Sequence, residues 1–179
     1  MIYQNINYNS PTMLKAFLEF HNMAMQKKFG QNFLVNEHAR KKLTDALELS
    51  SGTRVWEIGP GLGALTQCVL QRGAKLTAFE IDRGFSAILT DIFKDEILAE
   101  QFTLIQGNVL KTWKAESEKF VPERLCGNLP YNIAAVLIAD MISASVRFER
   151  AVLTVQKEVA VRMSAKPKTA DYSSFSVLC

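Results

Sequence analysis

Arg54–Thr66 reads RVWEIGPGLGALT, an apolar run that leads directly into Gly59, Gly61 and Gly63. Glycines let the backbone turn sharply after a buried strand and approach a ligand closely, because no Cβ stands in the way. A helical pattern begins after Gly63, and the free N–H groups of a helix start point toward the same turn. This strand, glycine loop and helix predict an α/β fold that binds a small molecule at the loop.

Short apolar runs recur on both sides of this unit, with helical patterns between them. The expected strands are Arg54–Ile58, Lys75–Phe79, Phe102–Ile105, Arg124–Cys126 and Ala151–Val155, and the expected helices are 64–72, 83–98, 132–145 and one that starts near residue 157. Strands that alternate with helices form βαβ units with right-handed crossovers. We therefore predict a doubly wound, mostly parallel sheet of the Rossmann-like type.

The chain before the glycine loop follows a different pattern. Residues 1–9 are polar and Asn-rich, which predicts a loose tail, and Ser10-Pro11 predicts the start of a helix that runs to about residue 25. Asn36 can cap a second helix that ends near residues 47–49. We divide the chain into a tail and helix over residues 1–26 and one α/β domain over 27–179, and the apolar end predicts that this domain is incomplete.

Composition and charge disfavour disulfide-rich, metal-binding, membrane-spanning and secreted classes of protein. The net charge is +3, and the excess of Lys and Arg lies in residues 1–52 and 156–170, where it suits phosphate contacts or equally well two solvated helix faces. Three widely spaced cysteines and two isolated histidines predict neither disulfides nor a metal site. No apolar run approaches a membrane span, and no signal peptide pattern is present. We expect a cytoplasmic protein.

Acidic and amide residues follow the expected strands. The spacing of the glycines differs from the dinucleotide pattern, and Glu57 suits a cationic ligand such as S-adenosylmethionine better than a diphosphate. Glu80 ends the second strand, where a carboxylate can accept hydrogen bonds from ribose hydroxyls. Asn108 follows the third strand and can meet the adenine edge of such a ligand. Taken singly, these residues also fit a tight turn, a helix cap at Asp82 and an Asn-containing turn.

The segment Gly127–Ile133 reads GNLPYNI and follows the fourth expected strand. The Asn128 side-chain oxygen and a carbonyl stiffened by Pro130 can accept the two N–H bonds of an adenine amine and free its lone pair for methyl transfer. Tyr131 offers a flat face on which an extruded base can stack. We predict Asn128, Pro130 and Tyr131 as the catalytic residues, although a Pro-containing turn with a packed Tyr would have the same local sequence.

Together these motifs resemble the ribosomal RNA adenine N6,N6-dimethyltransferase family. The resemblance rests on FGQNFL at Phe29–Leu34, on Glu57–Thr66, on EID at Glu80–Asp82, on NLPYNI at Asn128–Ile133 and on QKEV at Gln156–Val159. It implies methyl transfer from S-adenosylmethionine to two adjacent adenosines near the 3′ end of small-subunit ribosomal RNA, by a monomer that binds RNA within the small subunit. The cofactor-binding residues that we predict are Gln31, Asn32, Leu34, Glu57, Gly59, Gly61, Gly63, Glu80, Ile81, Asn108, Val109 and Asn128.

The sequence departs from the family pattern in three places. Asn108 stands where the family usually has Asp, which removes a charge from the adenine contact, and Ser173-Ser174 replaces a Gly-Arg pair seen in some relatives. The resemblance also leads us to expect further sheet strands and a small helical domain after residue 179.

Three alternative functions remain open from the sequence. One is a ribosome-assembly factor in which RNA binding matters more than methylation. The second is a large-subunit ribosomal RNA methyltransferase of the antibiotic-resistance type, which shares the Asn-Pro-Tyr chemistry. The third is a nicotinamide-dependent oxidoreductase, which the glycine spacing disfavours.

Overall fold

The computed structural model describes residues 6–21, 34–129 and 133–179. In these ranges the strands are β1 Arg54–Ile58, β2 Lys75–Glu80, β3 Phe102–Gln106, β4 Arg124–Asn128 and β5 Arg150–Thr154. The helices are α1 Pro11–Phe20, α2 Glu37–Ala46, α3 Ala64–Leu70, α4 Arg83–Ile92, α5 Lys94–Leu98, α6 Val109–Lys119, α7 Ala134–Ser143, α8 Lys157–Met163 and α9 Ser174–Leu178.

The five strands form one parallel sheet in the order β3-β2-β1-β4-β5. β1 pairs with β2 on one side and with β4 on the other, so the strand order reverses next to β1. In such sheets the loops at the carboxyl ends of the strands separate at the reversal and leave a crevice for a ligand. The predicted doubly wound α/β fold is confirmed.

The core lies on both faces of the sheet because the residues of β1 point alternately to the two sides. Val55 packs with α3 and α4 in one cluster, which includes Val69 and Leu89. Trp56 and Ile58 pack on the opposite face, together with Trp113 of α6 and Leu137 of α7. Helices cover both faces of the parallel sheet, so β1 and β2 are almost continuously buried, although each strand includes buried polar residues such as Glu57 and Thr77.

The helices differ from the sequence prediction most clearly in two places. The expected helix over 83–98 is divided at Phe93, whose ring is buried against Phe102 and whose backbone leaves the helical region. Helix α6 was not predicted, because Val109 and Trp113 are its only buried residues and the rest of its sequence is polar. A single apolar pair four residues apart gives too weak a periodicity to identify a helix.

Strands β2 to β5 and the first helix also end at different residues than expected. β4 continues to Asn128, because Gly127 and Asn128 pair with Leu153 and Thr154 of β5. Asn128 therefore belongs to the end of a strand and not to a free loop. Helix α1 starts at Pro11 with Ser10 as its cap, as predicted, but ends at Phe20, five residues earlier than expected.

The prediction of a loose tail was wrong for the residues just before α1. Tyr8 is 7% exposed, and it packs with Leu14, Leu18 and Leu62 in a third cluster of buried residues. The aromatic ring thus joins the N-terminal segment to the α/β domain. None of the helices in the described ranges is long and apolar enough to cross a membrane.

We predict that replacing Leu18 with Ala lowers the free energy of unfolding by about 2–4 kcal/mol, because the side chain is buried and its removal leaves a cavity. Denaturant unfolding followed by circular dichroism measures the change. Met13 on the same helix is exposed, so Met13→Ala is the control and should change stability by less than about 0.5 kcal/mol. Equal effects of the two variants would mean that α1 does not pack as described.

Candidate active site

The candidate site lies at the carboxyl ends of β1, β2, β3 and β4. Gly59 follows β1 directly, Glu80 ends β2, Asn108 comes two residues after β3, and Asn128 ends β4. Because these strands are parallel and adjacent in the sheet, all four residues reach the same edge. The structure therefore brings to one edge of the sheet the predicted glycine loop, the Glu80 carboxylate, the Asn128 amide and the amide of Asn108 that follows β3.

The glycine loop is held by its own backbone hydrogen bonds. The Gly59 N–H donates to the Phe79 carbonyl at 2.9 Å, and the Gly63 N–H donates to the Pro60 carbonyl at 2.9 Å. Gly59, Gly61 and Gly63 have φ values of 68°, 58° and 88°, a region that L-residues with side chains rarely adopt. A Cβ at Gly63 would lie 2.6 Å from the Phe93 ring, whereas a Cβ at Gly59 would meet no atom within 4 Å. Gly59 thus borders open space that a ligand can occupy.

Glu80 connects the glycine loop to the end of β2. One carboxylate oxygen accepts the Gly61 N–H at 3.0 Å, and the other accepts the Asp82 N–H at 2.9 Å. Burial raises the pKa of Glu80, and these backbone donors oppose the shift because they favour the charged form. A carboxylate has about four acceptor sites, so Glu80 retains capacity for a hydroxyl donor such as that of a ribose. The contact with ribose stays a prediction.

Glu57 is buried one layer beneath the loop. Its side chain is 1% exposed, and its carboxylate accepts a hydrogen bond from the Thr66 hydroxyl of α3 at 2.7 Å. Burial raises the pKa of Glu57 from 4.5 to about 7. The contact that the structure describes is with α3, and the predicted contact with a cationic ligand stays a prediction.

The predicted residues after β2 and β3 have distinct surroundings. Ile81 is 40% exposed at the edge of the sheet. The Gly107 N–H donates to the Glu80 carbonyl at 2.7 Å, which brings the end of β3 to the same place. Asn108 caps α6, because its side-chain oxygen accepts the Leu110 N–H at 3.0 Å. Val109 is buried in the core, and its role and that of Asn108 in cofactor binding stay predictions.

Asn128 is held in place by a neighbour that the sequence did not reveal. Thr154, at the end of β5, donates its hydroxyl to the Asn128 side-chain oxygen at 2.5 Å. This bond orients the amide at the edge of the sheet. Only the strand order, which pairs the end of β5 with the end of β4, identifies Thr154 as the neighbour of Asn128, because no local sequence motif includes it.

Gly127 is a second residue whose role was not predicted. It pairs with Ile58 across β1 and β4, and a Cβ at this position would lie 2.6 Å from the Ile58 carbonyl oxygen. The two central strands can therefore approach this closely only because residue 127 is glycine. The close approach places Asn128 beside the start of the glycine loop at Gly59.

Four predicted site residues, Gln31, Asn32, Pro130 and Tyr131, lie outside the described residues. Leu34 is half-buried, and its carbonyl accepts a hydrogen bond from Arg40 at 2.7 Å. In the ranges that the structure covers, no group of three or more His, Cys, Asp or Glu residues is arranged to hold a metal ion.

Comparison with known proteins identifies similar sequences. The family model described as Ribosomal RNA adenine dimethylase matches residues 22–179. The Ribosomal RNA small subunit methyltransferase A of Treponema denticola is 51% identical over 97% of this chain and 59% of its own length. The protein of the same name from Borreliella burgdorferi is 43% identical over 99% of this chain and 61% of its own length. The chain thus spans about 60% of the length of these relatives.

Solved structures with a similar fold include two methyltransferases. A dimethyladenosine transferase from Plasmodium falciparum has a TM-score of 0.65 and 30% identity, over 80% of this chain and 50% of that one. The 23S rRNA methyltransferase ErmE has a TM-score of 0.56 and 22% identity, over 79% of this chain and 52% of that one, which bears on the fold alone.

We predict that Gly127→Ala destabilises the protein by roughly 1–3 kcal/mol, because the added Cβ collides with the backbone of β1 and the strands must separate. Thermal and denaturant unfolding measure the loss. Ala151→Val is the control, since it adds two methyl groups at an exposed position of β5 and should change stability by less than about 0.5 kcal/mol. An unchanged stability of Gly127→Ala would contradict the described approach of β1 and β4.

We also predict a pH dependence of stability that comes from Glu57. Its pKa is about 7 in the folded protein and near 4.5 when the chain unfolds, so the folded state holds an extra proton between these values. The stabilisation is complete below pH 4.5 and is lost as the pH rises through about 7, with a total of order 3 kcal/mol. Unfolding free energies of the protein and of Glu57→Gln from pH 5 to 8 should therefore differ by an amount that changes with pH. Parallel profiles would contradict the prediction.

Proposed function

The chain belongs to the ribosomal RNA adenine dimethylase family, and we propose on this basis that it transfers methyl groups from S-adenosylmethionine to ribosomal RNA. The proposed acceptors are the N6 amines of two adjacent adenosines near the 3′ end of the small-subunit RNA. The names of the Treponema and Borreliella relatives favour the small subunit over the large-subunit alternative. They also favour methyl transfer over nicotinamide-dependent oxidation.

The position of Asn128 carries the proposal. Its amide stands at the end of β4, and β4 pairs with β1 up to Ile58, the residue before the glycine loop. An acceptor for an amine and a loop for a nucleoside ligand are therefore adjacent at the reversal of strand order, where α/β sheets bind ligands.

The residues around the glycine loop fit S-adenosylmethionine. The open side of Gly59 admits a ligand close to the backbone, Glu80 retains acceptor sites for ribose hydroxyls, and Glu57 is an acid near the loop that suits a cation. When bound, S-adenosylmethionine supplies a methyl group on a positively charged sulfur, which a nucleophile can attack in line.

Asn128 would act on the amine that receives the methyl group. The adenine amine is a poor nucleophile because its lone pair is delocalised into the ring, and an acceptor aimed at its N–H bond favours a pyramidal nitrogen. Thr154 donates to the Asn128 oxygen and so fixes the orientation of the amide, which is preorganisation of the kind that lowers a barrier without cost during the reaction. The Pro130 carbonyl and the Tyr131 ring are proposed as the second acceptor and the stacking surface.

The proposed reaction needs no strong base before the attack. The nitrogen would bond to the methyl carbon as the carbon–sulfur bond breaks, with neutral S-adenosylhomocysteine as the leaving group. The nitrogen, which is then positively charged, would release its proton to water. Catalysis would come from orientation of the amine and from fixed acceptors. We further propose that the protein acts as a monomer in the cytoplasm, without a metal ion, and that its RNA is bound within the small ribosomal subunit.

We predict that Asn128→Ala lowers the turnover number for methyl transfer about 100-fold or more, because one preorganised acceptor is lost. Transfer of labelled methyl groups to small ribosomal subunits that lack the modification measures the effect, and filter binding measures RNA affinity, which should remain. Gln71→Ala is the control, since it removes an exposed amide at the end of α3 and should leave methyl transfer unchanged.

Undiminished methylation by Asn128→Ala would refute the role of the amide. Loss of RNA binding together with methylation would also refute this role, because the amide would then contribute to RNA binding and not only to methyl transfer. Calorimetric binding of NAD without binding of S-adenosylhomocysteine would overturn the proposed cofactor.

A further inference from the structure

The segment before α1 makes a direct contact with the glycine loop. The Tyr8 hydroxyl donates to the Leu62 carbonyl at 2.8 Å, across 54 positions of the sequence. Leu62 lies between Gly61 and Gly63, and its side chain is 1% exposed. A buried carbonyl without a partner is costly, so this hydroxyl satisfies a group in the middle of the loop.

The Tyr8 contact fixes the Leu62 carbonyl, a part of the loop that the other hydrogen bonds do not hold. The N–H groups of Gly59, Gly61 and Gly63 bind Phe79, Glu80 and Pro60, respectively, and these bonds hold the donors of the loop. The Leu62 carbonyl points in the other direction, toward the N-terminal segment. Tyr8 therefore holds the acceptor side, in a loop whose three glycines have many conformations available when they are not held.

Tyr8 is itself rigidly placed. Its ring packs in the buried cluster with Leu14, Leu18, Phe85 and Ile88. The Arg40 guanidinium lies 6.0 Å from the ring centroid. Burial raises the pKa of the Tyr8 hydroxyl, which keeps the proton that the bond to Leu62 requires.

The same segment is connected to the second predicted part of the cofactor site. Arg40 is 5% exposed and donates both to the side-chain oxygen of Asn9 and to the carbonyl of Leu34. Tyr8 and Asn9 thus link the glycine loop with the segment that contains Leu34. Two parts of the site that are distant in sequence are braced by one short N-terminal stretch.

We propose that Tyr8 is a positioning residue of the cofactor site and that its hydroxyl holds the glycine loop in the conformation that binds the ligand. The inference rests on the proposed function, since the ligand is S-adenosylmethionine. Apparent affinity scales with the fraction of molecules in the binding conformation, so a loosened loop binds more weakly without the loss of any direct contact. The family match begins at residue 22, and Tyr8 lies before it.

Tyr8→Phe tests the proposal, because it keeps the ring and removes only the hydroxyl. We expect calorimetric titration to show about five- to tenfold weaker binding of S-adenosylmethionine, the factor that corresponds to one lost hydrogen bond. Thr53→Val is the matched control. It removes a buried hydroxyl that binds Ser50 at the opposite end of β1, so it should affect stability similarly and leave the affinity unchanged.

Hydrogen exchange of the loop amides separates a local loosening of the loop from a general loss of stability, because the Thr53→Val control measures the general effect. Exchange at Gly61–Gly63 should be faster in Tyr8→Phe than in the unmodified protein and in Thr53→Val. If the unmodified protein does not bind S-adenosylmethionine, the proposed function is wrong. If it binds and Tyr8→Phe binds equally well, or if Thr53→Val weakens binding to the same degree, the role of Tyr8 is refuted.

Discussion

The carboxylate of Glu80 is the constraint on which the geometry of the site depends. It binds the N–H groups of Gly61 and Asp82, so one buried side chain fixes both the glycine loop and the start of α4. The Glu80 carbonyl accepts the Gly107 N–H and brings the end of β3 to the same edge. Burial disfavours the charge, and the backbone donors offset part of that cost. The ends of three strands are therefore joined through a single residue.

The fold and the outline of the site could be predicted because their signals are local. The glycine loop, the acid at the end of the second strand and the amide before Leu129 each follow a short apolar run, and parallel topology brings such ends together. Helix α6 escaped prediction because two buried residues provide little periodicity. The end of β2 was placed one residue early and that of β4 two residues early, since the polar Glu80 and Asn128 complete these strands through pairing and not through propensity.

Residues that support the site from a distance could not be predicted from the sequence. Thr154 reaches Asn128 over 26 positions, and Tyr8 reaches Leu62 over 54. The sequence around a threonine at a strand end, or around a tyrosine in a polar segment, does not indicate which distant residue the side chain will bind. Such contacts depend on strand order and on the packing of α1, which become known only when the chain is folded. The candidate binding and catalytic residues at the sheet edge could thus be predicted more easily than Thr154 and Tyr8, which hold them in position.

The distribution of the two tryptophans has a practical consequence. Trp56 and Trp113 are both fully buried on the face of the sheet that carries α6 and α7, and they are the only tryptophans of the chain. Indole emission responds to the polarity of its immediate surroundings, so intrinsic fluorescence reports on that face. The cluster that joins Tyr8 to the glycine loop contains no indole among its described members. A native emission spectrum therefore reports on the packing around α6 and α7, and it does not report on the cluster that contains Tyr8 and Leu62.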